Sequence, residues 1–154
     1  MRRHVSWVLS LLVCASALAL ATKTPKANTR SEVKAYVERA AKFVAKNGPS
    51  CAALQSKEWA KGDYYIFVVG PDDKLVCHPS AALVGTSADK IIDKNGKKVG
   101  TMLDDVARKG GGWVDYVWQR PGTTTPVAKS SYAMQVKAPD GKMYVVGAGG
   151  YEMK

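Results

Sequence analysis

Tyr64-Tyr65-Ile66-Phe67-Val68-Val69-Gly70-Pro71-Asp72-Asp73-Lys74-Leu75-Val76-Cys77-His78 is the stretch on which the fold turns. Aromatic and β-branched residues run into a Gly-Pro-Asp-Asp turn, and a second apolar run leads back, which reads as a β-hairpin. Upstream the period is different. Val33, Tyr36, Val37, Ala40, Ala41, Val44 and Ala45 recur at helical spacing. Thr29 or Ser31 can cap that helix, with Glu32 three residues after Thr29 as a capping box requires. Asn47-Gly48-Pro49 stops it, and a shorter helix runs from Ser50 through Leu54, ending near Lys57. Downstream, Pro79 to Lys98 reads as a long loop with a turn at Asp93-Lys94-Asn95-Gly96. Thr101 to Lys109 then forms a helix with Met102, Leu103 and Val106 inward, ended by Gly110-Gly111-Gly112. Three strands follow, Trp113 to Gln119, Val127 to Lys137 and Met143 to Gly149, with turns at Pro121-Gly122 and Pro139-Asp140-Gly141. The order predicts an α+β chain with a five-stranded antiparallel sheet, not alternating βαβ. The N-terminal helix would cover one face and residues 79–109 the other. A pocket between sheet and long loop is the natural place for a small ligand.

The chain has 154 residues, enough for one compact domain. Hydrophobic residues make up 46% and charged residues 23%, which is globular composition and excludes a disordered chain or a coiled coil. Only 2 His and 3 Cys are present, so an imidazole-rich metal site is not expected. The net charge of +10 favours anionic partners by general attraction. The lysines are spread along the chain and form no aromatic-interleaved patch, so nucleic acid is not an expected partner.

Met1-Arg2-Arg3-His4 is basic, Val5 to Leu20 carries no charge, and Ala17-Leu18-Ala19-Leu20-Ala21 offers small-residue cleavage sites. These are the three parts of a secretory signal peptide, assigned to residues 1–21. As a helix the apolar run spans roughly 24 Å, short of a hydrocarbon core of about 30 Å. An uncleaved anchor, or a lipoprotein box at Leu12-Val13-Cys14-Ala15, are the weaker readings. Cleavage removes Arg2 and Arg3, so 23 basic residues become 21 against 13 acidic ones, a net +8. No second apolar segment of membrane length follows, and a periplasmic or secreted domain without stable membrane insertion is expected. Residues 22–28 read as a short mobile leader. Cys51 and Cys77 remain, either bridged, closing a 27-residue loop, or as two buried thiols.

The segments Tyr65-Ile66-Phe67-Val68-Val69, Val76-Cys77-His78-Pro79, Asp93-Lys94-Asn95-Gly96, Gly112-Trp113-Val114-Asp115-Tyr116-Val117-Trp118, Lys129-Ser130-Ser131-Tyr132 and Val146-Gly147-Ala148-Gly149-Gly150-Tyr151 follow one another in a familiar order. Taken together they resemble the single Cache domain family, closest to its second subfamily, over roughly residues 30–151. The resemblance implies a PAS-like extracytoplasmic sensor domain, here residues 29–154, that is not enzymatic. It also implies a small organic ligand, often a short carboxylate, and a membrane receptor or sensor kinase as a possible partner. The chain ends three residues after Tyr151, so it looks like a free-standing exported form of the domain.

Five residues are candidates for the ligand. Tyr116 and Trp118 lie two apart on a strand and share a face, where they can wall a pocket or simply pack the core. Trp113 falls on the other face. Lys129 lies in the Lys-x-x-Tyr segment and could pair with a ligand carboxylate, or be a solvated surface lysine. Tyr132 is three residues on and shares the site only if a bulge intervenes. His78 precedes Pro79, which bends the strand end, and is either a turn residue or a pocket donor. Asp93 is expected to fix its turn through the backbone. The glycines at 110–112 and 147–150 do not join a strand to a helix start, so a phosphate loop is not expected. No nucleophile–base pair or paired carboxylates stand out, and no cofactor or metal is implied. The alternative to a ligand-binding module is a secreted structural or partner-binding domain. A carboxylate of about five heavy atoms at roughly −1.5 kcal/mol each gains about −7.5 kcal/mol, so dissociation constants from micromolar to millimolar are expected.

Overall fold

A computed structural model of the protein describes residues 22–153; the signal-peptide assignment at 1–21 lies outside them. The elements are helices α1 (Arg30–Asn47), α2 (Cys51–Leu54) and α3 (Val99–Arg108), and strands β1 (Phe67–Val69), β2 (Leu75–Cys77), β3 (Gly112–Gln119), β4 (Pro126–Lys137) and β5 (Met143–Tyr151). Two short 3-10 turns, Ala81–Leu83 and Ala88–Lys90, punctuate the loop before α3. The strands form one antiparallel sheet in the order β2-β1-β5-β4-β3, with the helix-then-sheet arrangement of a PAS-like domain.

Helix α1 begins where its capping residue places it: the Thr29 hydroxyl accepts from the Glu32 N–H at 3.3 Å. Glu32 does not return the bond to Thr29; its carboxylate accepts from the Lys26 N–H. The helix ends at Gly48, whose φ of +78° only glycine adopts without strain. Its apolar stripe, Val33, Tyr36, Val37, Ala40, Ala41 and Val44, is buried against the sheet, so the stripe is spent inside the domain. Residues 22–28 lie along the body of the domain. Lys23 N–H donates to Glu58 O, Arg39 donates to Lys23 O, and the Asn28 amide donates to Tyr151 O at 2.7 Å.

Alternation along the strands divides the interior into two cores. On the α1 face, Ile66, Val68, Tyr132, Val146 and Ala148 meet α1 and Trp59. On the opposite face, Tyr65, Phe67, Val69, Val114, Tyr116 and Ala133 meet α3 and the loop before it. The pairing of β1 with β2 slips by one residue, Val68 opposing Cys77 and Val69 opposing Leu75. That bulge puts Leu75 on the loop face although Cys77, two residues later, points to the α1 face. There Cys77 is bridged to Cys51, with Cα atoms 5.0 Å apart. In the chain-entropy description such a link is worth roughly 3–4 kcal/mol.

Helix α3 starts two residues earlier than its sequence pattern indicates, at Val99. Its buried side is Val99, Gly100, Leu103 and Ala107, with Val106 packed at the margin. Met102, expected inward, is 38% exposed. The early start rotates the stripe, because Gly100 packs directly on the Ala88 carbonyl and Ile91, and no side chain would fit there.

Candidate functional site

The candidate site lies on the loop face and is built from one cross-strand row. Lys129 in β4 pairs with Tyr116 of β3 on one side and Tyr151 of β5 on the other, so the three side chains stand together on the same face. Tyr65, just ahead of β1, closes over them. The Lys129 Nζ donates to Tyr65 Oη at 2.7 Å and sits 4.2, 4.7 and 5.9 Å from the ring centres of Tyr65, Tyr151 and Tyr116. The next row explains how so long a side chain fits. Gly149 stands opposite Ser131, and a Cβ there would come within 2.7 Å of Lys129 Cε and strike Ser131 Oγ.

Lys129 is 2% exposed, and among the described residues Tyr65 is its one hydrogen-bond partner and no carboxylate pairs with it. Burial lowers its pKa to about 7, with Asp63 opposing the shift from a distance. Asp63 is itself held by Arg120, which also binds Glu152 and lies over the Tyr151 ring. The phenols are pushed up: Tyr65 and Tyr116 by burial, and Tyr151 by burial to about 12. Tyr116 shares a 2.8 Å hydrogen bond with the buried Ser131 hydroxyl. All these phenols therefore remain neutral donors at physiological pH.

His78 stands edge-on to Tyr65, ring centres 5.0 Å apart, and its Nδ1 accepts from the Ser80 N–H at 3.0 Å. Burial, then the Lys129 charge, lower its pKa to about 4. The ring is neutral at pH 7 and keeps its Nε2 proton as a donor. Beside these groups lies a cavity of about 40 Å³. Its walls include Tyr65, Phe67, His78, Leu103, Tyr116 and Trp118, and apart from its aromatic hydroxyls and imidazole they are almost wholly apolar. A water molecule needs about 10–15 Å³ of such space, so the cavity matches a molecule of a few heavy atoms.

His78, Tyr116, Trp118 and Lys129, all proposed from sequence, are thus brought to one place, His78, Tyr116 and Trp118 on the cavity wall and Lys129 against Tyr65 and Tyr116. Tyr132 is not. The β3–β4–β5 register runs without a break through Lys129 and Tyr132, so residues three apart face opposite ways. Tyr132 packs under α1 with Trp113, ring centres 5.4 Å apart. Sequence reasoning missed Tyr65, although Tyr65, Phe67 and Val69 alternate on one face of the hairpin run and all three line the cavity. Asp93 does more than fix its turn. Its carboxylate accepts from Asn95 N and Lys97 N, both at 2.9 Å, and from Val117 N on the edge strand β3 at 3.1 Å, which pins the loop over the site. The described residues contain no group of three or more His, Cys, Asp or Glu side chains arranged to hold a metal ion, and no described helix is long and apolar enough to cross a membrane.

A sheet sealed on one face by a long helix and holding a loop-covered cavity on the other defines a PAS-like sensor domain. The chain belongs to the Single Cache domain 2 family, which it matches over residues 1–153. The domains of this family are extracytoplasmic ligand-binding sensors. Among solved structures it is similar to a periplasmic sensor domain of a chemotaxis protein, with 31% identity, a TM-score of 0.64, and 79% of this chain and 94% of that one covered. A Cache chemosensory domain whose structure explains carboxylic acid recognition is 27% identical, with a TM-score of 0.50 over 77% and 73% of the two chains. The sensor histidine kinase MctS of Rhizobium johnstonii (strain DSM 114642 / LMG 32736 / 3841) is 34% identical over 101 residues, 65% of this chain. The chain spans 21% of the length of that relative.

Proposed function

We propose that this domain is an exported sensor module whose ligand is a short organic carboxylate. The carboxylate meets the Lys129 ammonium and the Tyr65 hydroxyl, His78 Nε2–H lies within the same wall, and the aliphatic end fills the apolar cavity. The observation that carries this reading is the buried Lys129 without an acidic partner. A cation held in a dry site costs free energy until an anion joins it. The cavity of about 40 Å³ supports a ligand of acetate or propionate size. Support also comes from the carboxylic acid recognised by the 27% identical Cache domain. Export is supported by the basic, apolar and small-residue pattern of residues 1–21 and by the Cys51–Cys77 disulfide, which an oxidising compartment maintains. Resemblance to a sensor histidine kinase supports a kinase or chemoreceptor as the reader of the bound state.

Thermal unfolding of the protein against acetate, propionate, pyruvate, amino acids, amines and urea tests the proposal. A ligand at about 100 times its dissociation constant adds roughly 2.7 kcal/mol, a shift of about 4–8 °C for a domain of this size. The expected result is a shift with carboxylates that disappears in Tyr116→Ala and Lys129→Met. No shift with any carboxylate up to tens of millimolar overturns it.

A further inference from the structure

The cavity does not stand alone. A groove of about 560 Å³ shares Tyr65, His78, Leu83 and Trp118 with the lining of the cavity and continues past Ser80, Gln119 and Thr123. The four are not held alike. Tyr65 is fixed by Lys129, and His78 by the Ser80 N–H. Leu83 can make only van der Waals contacts, and it sits on the short 3-10 turn Ala81–Leu83. The indole N–H of Trp118 has no hydrogen-bond partner among the described residues, and its ring meets Tyr116 edge-on at 6.0 Å.

We infer that Leu83 and Trp118 form a partition between the cavity and the groove that sets the upper length of the ligand. This rests on the proposed carboxylate reading, and it adds which residues decide the chain length accepted. With the carboxylate at Lys129, the aliphatic tail grows along the apolar wall until it meets the partition. Truncating either side chain joins a volume of about 40 Å³ to one more than ten times larger. Extra methylenes then enter the groove instead of clashing. Each methylene buried adds about fourfold in affinity, so affinity should climb with length until the partition stops it.

The test is the affinity of unbranched monocarboxylates from acetate to octanoate for the wild-type protein, Leu83→Ala, Trp118→Ala and Leu83→Phe. The wild-type series should rise and then break off sharply. Leu83→Ala and Trp118→Ala should move the break by two or more carbons, raising affinity for the first excluded acid at least tenfold, and Leu83→Phe should move it the other way. Two truncations give two chances to keep a folded protein, checked by the unfolding midpoint. If the wild type binds short acids and the break stays in place in both truncations, the partition is overturned while the carboxylate reading stands. If the wild type binds no acid of the series, the carboxylate reading fails and the partition with it.

Discussion

On the α1 face of the sheet, Tyr132 and Ala148 join Trp59 and the buried stripe of α1, and Cys77 is tied to Cys51. On the other face, the alternate residues of the same strand β4 are Lys129, Ser131 and Ala133, and they meet three tyrosines, α3 and a loop pinned by Asp93. The first face is apolar side chains in contact with one another, with Trp59 between Tyr36 and Phe43 at 6.2 and 5.5 Å. The second holds a small cavity and a buried amine that is hydrogen-bonded to Tyr65 and meets no carboxylate. What the difference teaches is where to look for function: in one small domain, the side that packs less completely is the side proposed to bind.

The comparison can be broken from either side. Trp59→Ala removes the largest buried side chain of the α1 core and should cost about 3–5 kcal/mol in chemical denaturation. The affinity of the remaining folded protein for propionate should stay within about twofold; a tenfold loss would mean that the two faces are not independent. Gly149→Ala attacks the other face. Its Cβ must displace Lys129 and Ser131, so stability should fall by about 1–3 kcal/mol and affinity by tenfold or more. Unchanged affinity would show that the position of Lys129 does not matter to the ligand. The smallest effect is expected from Tyr132→Phe, a change of less than about 0.5 kcal/mol with no change in ligand affinity, since its hydroxyl has no hydrogen-bond partner on the described residues and its ring lies under α1.

Much of this was legible in the chain because it is local. A helix cap at Thr29 or Ser31, the Gly48 stop, the turn at Gly70 to Asp73 and the shared face of Tyr116 and Trp118 all follow from spacing within a few residues. The partner of Lys129 did not, because Tyr65 is 64 residues away and meets it only when β1 is brought beside β5. The bulge that separates Leu75 from Cys77 is likewise invisible to simple alternation. Met102 was misassigned because α3 begins at Val99, where the close packing of Gly100 sets its rotation. Tyr132 was resolved by register alone: without a bulge, three residues change the face.

Protonation of Lys129 gives the sharpest measurement. Its pKa is lowered from 10.5 to about 7 in the folded protein. Below about pH 7 folded and unfolded chains both hold the proton, and the fold bears the full cost of a buried charge. Between about pH 7 and 10 the unfolded chain holds it more tightly, so this lysine makes stability rise with pH. Ligand affinity runs the opposite way. An anion needs the charged amine, so from pH 6, where propionate is ionised, binding should be level to about pH 7 and weaken by up to tenfold per unit above it. Calorimetric titration with propionate from pH 6 to 9, on the wild-type protein and Lys129→Met, reads this directly. The account predicts that fall in affinity for the wild type, proton uptake on binding near pH 8, and no binding by Lys129→Met at any pH although its unfolding midpoint at pH 6 is higher. Binding by Lys129→Met with wild-type affinity, or a flat pH profile, would contradict it.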